Sequence, residues 1–189
     1  MFHTEEQLKK LAALTSVILM ATAEALAQDN LPRPARRIVV SIPDCKLAVL
    51  EAGRVIRIFP TAVGAPASPS PSGSFKIVQR IADPTWYGKG KIVPPGKSNP
   101  VGTRWIGLSV KGYGIHGTNN PASIGRNVSH GCIRLRNHDV EQLYTMVAVG
   151  DSVDLYTERT PEMDRIFADS AAEPAADSAA DSAARSGGQ

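Results

Sequence analysis

Ser129-His130-Gly131-Cys132-Ile133-Arg134-Leu135 is followed at once by Arg136-Asn137-His138-Asp139-Val140, so a cysteine stands between a glycine turn and the start of a helix. A cysteine attacks a carbonyl carbon as its thiolate, and a free thiol with a pKa of about 8.5 is only a few per cent ionised at neutral pH. It needs a base or a cation beside it. His130 lies two residues before Cys132 and His116 sixteen before it; residue type and spacing leave both open as that base. Gly131 admits backbone conformations that other residues avoid, which suits a tight turn presenting Cys132. The main-chain N–H groups of Gly131 and Cys132 are then expected to face the oxyanion of an acyl-transfer intermediate.

On the C-terminal side, Val140, Leu143, Tyr144 and Val147 fall on one face at helical spacing, predicting a helix from about His138 to Val147 with Asn137 as its cap. Gly150-Asp151 turns the chain into a strand over 152–156. On the N-terminal side, residues 36–42 and 46–51 are short aliphatic runs, and Glu51-Ala52-Gly53-Arg54 turns into Val55-Ile56-Arg57-Ile58-Phe59, a β-hairpin opening. Ser74 to Ile81 alternates polar and apolar as a half-buried strand does. Strand character returns over 104–110, and Tyr113 to His116 reads as a strand edge running into Gly117-Thr118-Asn119-Asn120-Pro121, which puts His116 at a strand end. Residues 83–103 hold four prolines and four glycines with Trp86 and Tyr87, too long for a routine connection and therefore a candidate lid or substrate-contacting loop, with a variable surface excursion as the other reading. The whole is a mainly antiparallel β domain with one packed helix.

The ends differ in composition from this domain. Lys9 and Lys10, an uncharged run of thirteen residues from Leu11 to Ala23, and Ala25-Leu26-Ala27 read as a secretory signal cleaved after Ala27. Thirteen residues fall short of the roughly 20 that span a bilayer, so no transmembrane anchor is expected after cleavage. Residues 28–35, with Pro32 and Pro34, suit an extended spacer. Residues 158–189 repeat Ala-Asp-Ser-Ala-Ala and are read as a low-complexity, disordered tail that buries nothing. Charge follows the same division: residues 36–157 carry 15 Lys and Arg against 7 Asp and Glu, whereas 158–189 carry 3 against 7. A basic domain outside the cytoplasm points to anionic envelope polymers or peptide carboxylates as partners and away from nucleic acid.

An exported chain with two cysteines is ordinarily read as holding one disulfide. A permanent Cys45–Cys132 bridge would consume the thiol that the turn presents, so both are expected free, with Cys45 a small, half-buried core residue. Cys132, His130 and His116 are zinc-ligand types, but no paired cysteine or fourth ligand at recognisable spacing accompanies them, and neither a metal nor another cofactor is expected.

His116-Gly117-Thr118-Asn119, the Ser129 to Leu135 segment and the helix after it resemble the catalytic core of the L,D-transpeptidases. Pro71-Ser72-Gly73-Ser74-Phe75 is similar to that family's proline, glycine and phenylalanine segment, and the stretch from Asn99 to Leu108 resembles the lead into its catalytic histidine. The resemblance covers about residues 36–157 and implies a single L,D-transpeptidase-like β-sandwich or barrel. It implies Cys132 as nucleophile, His116 as proton acceptor and donor, and the Gly117 carbonyl as the group orienting His116. His130, Gly131 and Ser129 receive supporting or oxyanion roles, and Arg134, Asn119 and Tyr113 substrate-binding ones, with an internal structural hydrogen-bonding role as the other reading of Arg134. Some relatives have asparagine at the position of Arg134, and any role taken from that asparagine does not transfer.

The implied partner is peptidoglycan in the periplasm. Cys132 would form a thioester with the third residue of a tetrapeptide stem, releasing D-alanine, and pass it to an amine. The acceptor stays open between a neighbouring stem, an outer-membrane lipoprotein, a free D-amino acid and water. Sortases share the His-then-Cys order but not the Cys132-Ile133-Arg134 context, and papain-like wall hydrolases have the opposite order. A catalytically silent wall-binding module is the non-enzymatic alternative.

Overall fold

The computed structural model describes residues 33–88 and 90–168. The chain divides into two units, residues 1–34 and 35–189, and the described fold belongs to the second. The expected signal, residues 28–32 of the spacer and the Ala-Asp-Ser repeats lie outside the described residues. Among the described residues no helix is long and apolar enough to cross a membrane.

Three aliphatic strands open the domain, β1 (Arg36–Ser41), β2 (Lys46–Glu51) and β3 (Arg54–Pro60). They pair antiparallel, with Ile38 opposite Val49 and Leu47 opposite Phe59. The β2–β3 turn places Ala52 at φ 49° and Gly53 at φ 78°, the two left-handed residues that match a tight hairpin to the strand twist. There follow β4 (Val63–Gly64), β5 (Gly73–Ala82), β6 (Trp86–Gly88), β7 (Lys91–Val93), β8 (Arg104–Leu108), β9 (Gly114–His116), β10 (Asn127–Ser129), β11 (Ile133–Arg134) and β12 (Ser152–Tyr156). Two helices, α1 (Asn137–Met146) and α2 (Pro161–Ala168), complete it.

Eight strands form one sheet in the order β11-β9-β8-β5-β12-β1-β2-β3. The sheet curls because β5 serves two neighbours: residues 73–76 pair with β12 and residues 77–82 with β8, and the register shifts between Ile77 and Gln79. Such an irregularity bends a strand and increases its twist. Pairing is mainly antiparallel, but β12 runs parallel to β1, and β11 parallel to β9. Inside the curl lies an apolar core that includes Ile38, Leu47, Phe59, Ile77, Ile106, Ile115, Ile133 and Leu143. The expected β-rich fold with a packed helix is what the chain adopts.

Two details of the helices differ from the sequence reading. Asn137 does not cap α1: Arg136 holds the cap position and no side chain bonds the free N–H groups there. Val140, Leu143 and Val147 are buried beneath α1 as the spacing predicts, and Tyr144 packs at the core's edge with the guanidinium groups of Arg80 and Arg104 over its ring at 4.0 and 5.5 Å.

The second difference is α2, which the reading assigned to the disordered tail. Met163, Ile166 and Phe167 are buried and cover the outward side chains Val39, Ala48 and Leu50, so β1 and β2 are buried on both faces. Pro161 opens this helix, where its missing N–H costs nothing, and Thr160 Oγ1 accepts the Met163 N–H at 3.3 Å. Arg37 binds both Asp154 and Glu162, fastening the helix to the sheet. Two turns beside alanine-rich repeats are too short to stand out as a periodic pattern, and only the apolar outer face of β1 and β2 gives them something to bury against. Met163→Ala is expected to cost about 2–3 kcal/mol through lost burial and a cavity, read as a lower urea midpoint at unchanged slope. An unchanged midpoint would show that α2 contributes nothing to stability.

Candidate active site

The site is assembled by the short pairing of β9 with β11. Because β11 runs parallel to β9 with Ile133 opposite Ile115 and Arg134 opposite His116, one step back along each strand sets Cys132 beside Gly114. Residues two apart on a strand share a face, so Cys132 and His116 come to one side of this edge although sixteen residues separate them. The β11 main chain is anchored on its other side, where the Ala62 and Arg134 N–H and C=O groups bond each other at 2.8 Å in both directions.

Ser129 builds the turn before the cysteine. Its buried hydroxyl donates to the Cys132 carbonyl at 2.6 Å and accepts the Gly131 N–H at 3.0 Å. Gly131 sits at φ 106°, and a Cβ there would lie 2.6 Å from Tyr113 Cε1 and 3.1 Å from the Pro69 carbonyl oxygen. No side chain fits at that position. The Gly131 N–H, expected to face an oxyanion, is thus already committed to Ser129, which leaves the Cys132 N–H as the donor of the two for that role. Tyr113, expected to meet substrate, lays its ring over the Gly131 main chain and forms a wall of the turn.

Cys132 is half-buried and free, as is the buried Cys45, whose thiol donates to Asn127 Oδ1 at 3.2 Å. The Cys132 Sγ points at the Gly112 carbonyl, 3.7 Å away. Burial pushes its pKa above the ordinary thiol value, while a hydrogen bond from the Gly114 main chain and the positive charge of Arg134 work the other way.

His116 is buried, and its ring stacks on that of Trp105, its partner on β8, with centroids 5.6 Å apart. Nδ1 lies 2.6 Å from the Gly117 carbonyl oxygen. A carbonyl only accepts, so Nδ1 carries the proton and Nε2 keeps its lone pair. Burial lowers the His116 pKa from 6.5 to about 4; the Gly117 bond opposes this and Arg134 adds to it. At neutral pH the imidazole is therefore an uncharged acceptor and the thiol keeps its proton.

The other expected residues fall around this pair in different ways. His130 is exposed at the rim. Asn119 is exposed and donates to the Ser98 carbonyl at 3.0 Å, tying the His116 loop to the 83–103 excursion. That excursion is partly regular: β6 and β7 form a hairpin, and the fully buried Asn99 donates to the Pro84 carbonyl at 2.7 Å and accepts the Val101 N–H at 3.0 Å. Arg134 lies across from His116, with its Nε buried and without a hydrogen-bond partner. Trp105 and Asn137, whose places at the site the sequence reading missed, meet it through β8 and α1. A tryptophan in a strand and an asparagine before a helix carry no signal of that kind by residue type. Among the described residues no three His, Cys, Asp or Glu side chains converge in a metal-binding group.

Comparison with known proteins agrees with this geometry. Residues 35–155 match the family model for the L,D-transpeptidase catalytic domain, YkuD. The chain is 40% identical over 119 residues to the YkuD protein of Bacillus licheniformis, covering 63% of this chain and 64% of that one. It is 37% identical over 139 residues to the YkuD protein of Bacillus subtilis, covering 72% and 77%. Among solved structures, an L,D-transpeptidase from Mycobacterium tuberculosis H37Rv superposes with TM-score 0.56 at 25% identity, over 65% of this chain and 58% of that one. One from Mycobacterium smegmatis gives TM-score 0.56 at 26% identity, over 66% and 59%. The match thus spans a little under two thirds of the length of several of these proteins. With Cys132 on the turn before β11, His116 ending β9 and the domain match around them, the chain belongs to the L,D-transpeptidase catalytic-domain family.

Proposed function

We propose that this chain is a peptidoglycan L,D-transpeptidase in which Cys132 is the nucleophile and His116 the proton carrier. The observation that carries the reading is the His116 Nδ1 contact with the Gly117 carbonyl, which leaves Nε2 as the acceptor on the edge shared with a free, half-buried cysteine. His116 Nε2 takes the thiol proton as Sγ attacks the carbonyl carbon of the third residue of a donor stem, and the Cys132 N–H meets the developing oxyanion. Collapse of the intermediate expels D-alanine, whose amine takes the proton from Nε2, and leaves a thioester. An acceptor amine then attacks the thioester, gives its proton to Nε2, and releases the thiolate to be reprotonated. Arg134, beside both groups, favours the thiolate and disfavours the imidazolium. It also suits the carboxylate of a stem peptide, with His130 and Asn119 at the rim. The lysine-flanked uncharged leader supports action in the periplasm on the wall. The acceptor is taken to be a neighbouring stem, with a lipoprotein lysine, a D-amino acid or water as the other chemistries the same acyl-enzyme serves.

Incubation with a carbapenem is expected to add one acyl adduct to the intact protein by mass spectrometry, mapped to Cys132 and absent from Cys132→Ala. No adduct on the wild type would refute the nucleophile assignment, and an adduct elsewhere would move it.

The His116 shift fixes a pH prediction. His116 works unprotonated, and burial lowers its pKa to about 4, so the acid limb of kcat/KM is expected near pH 4 rather than at the ordinary histidine value. Below about pH 6.5 the unfolded chain binds the proton before the folded one does, so stability falls as pH drops from about 6.5 towards 4, by roughly 3 kcal/mol for this group. Urea titrations of wild type and His116→Gln across that window should differ by this limb; parallel curves would contradict a buried neutral imidazole.

A further inference from the structure

Asn137 is the first residue of α1, yet its side chain turns away from the helix to bridge two loops. Its Oδ1 accepts the Thr118 N–H at 3.1 Å and the Thr103 N–H at 3.3 Å. Two glycines clear the slot it occupies: a Cβ on Gly102 would stand 2.1 Å from this oxygen, and one on Gly117 2.3 Å. The Thr118 N–H and the Gly117 C=O are opposite edges of a single peptide group, and the C=O edge receives the His116 Nδ1–H at 2.6 Å. A peptide is planar and rigid, so holding its N–H fixes the direction of its C=O. A hydrogen bond made at the N–H also polarises the unit and makes the carbonyl a stronger acceptor.

We propose that Asn137 is a positioning residue for His116, acting through the Gly117–Thr118 peptide to hold the imidazole in its Nδ1–H tautomer with Nε2 directed towards Cys132. It touches no reacting atom. The arrangement replaces the side-chain carboxylate that orients a catalytic histidine in a serine-hydrolase triad with a peptide group backed by an uncharged amide. An uncharged outer member stabilises the orientation without placing a negative charge near the imidazole. The inference rests on the reading of His116 and Cys132 as the reacting pair.

The groups around His116 keep the test interpretable. Arg134 on β11 is the charge acting on it and Cys132 the neighbouring titrating group. Arg104, on β8, turns to Asp83 and Tyr144, while on α1 Asp139 pairs with Arg136 and His138.

The full chain is compared with Asn137→Ala and Asn137→Asp by two readouts: kcat and KM against pH with a tetrapeptide donor, and the pH-dependent rate of iodoacetamide alkylation mapped to the Cys132 peptide. Asn137→Ala is expected to lower kcat by about 10–100-fold with KM changed by no more than about twofold, the scale of losing an outer-shell partner, and to slow Cys132 alkylation at neutral pH. Asn137→Asp keeps the acceptor, so it is expected to recover most of kcat and to move the acid limb to higher pH, because a carboxylate beyond the peptide favours the imidazolium. An unchanged kcat in Asn137→Ala would overturn the proposal. So would an Asn137→Asp variant as impaired as the alanine one with its acid limb unmoved, since that pattern describes a loop tie and nothing more. Should Asn137→Ala fail to fold by circular dichroism, the acid limb of Asn137→Asp decides alone. Should the wild type show neither acyl adduct nor turnover, the transpeptidase reading fails separately, and the alkylation profiles, which need no donor, still decide whether Asn137 governs the pair.

Discussion

The parallel pairing of β11 with β9 is the constraint on which the site depends. It is two residues long at its core, too short to persist unaided, and it is held from outside by the reciprocal bonds of Arg134 with Ala62. From beneath it is held by Ile115 and Ile133, both buried in the core. Parallel neighbours require a crossover, and the intervening residues 117–132 supply it. That crossover carries the Gly117 carbonyl at one end and the Ser129 turn at the other. Each end therefore does chemical work: one fixes the histidine tautomer, the other bends the main chain so that Cys132 is presented.

Burial then sets the resting state. In water a histidine and a cysteine titrate within the range where an ion pair between them is accessible. Enclosure within the sheet edge penalises both charged forms, so the imidazole loses its proton more readily and the thiol holds its own more firmly. The positive charge of Arg134 lowers both pKa values and so offsets burial at the thiol alone. At rest such a pair is neutral on both sides. A thiol held in its protonated form is also less open to oxidation, because reactivity towards oxidants follows thiolate content.

Glycines at this site act through space and backbone angle together. Gly131 is both at positive φ and under the Tyr113 ring, and Gly102 with Gly117 forms the slot for the Asn137 amide. The core is built from ordinary aliphatic packing. The edge that carries Cys132 and His116 is close-packed main chain against main chain, where even one methyl group has nowhere to go.

The sequence by itself determined the longer strands, the α1 apolar face and Cys132 as the candidate nucleophile, because strand alternation, helical spacing and the Ser-His-Gly-Cys segment are local patterns written in neighbouring residues. The choice between His116 and His130 came from family resemblance, and the neutral state of His116 came from its burial, which no local pattern encodes. Only the tertiary structure decided that the Gly131 N–H belongs to Ser129, that Asn137 bridges two loops rather than capping its helix, and that Met163, Ile166 and Phe167 cover the sheet. Each of these depends on which segments distant in sequence compete for one hydrogen bond or one apolar face, and that competition exists only after the chain has folded.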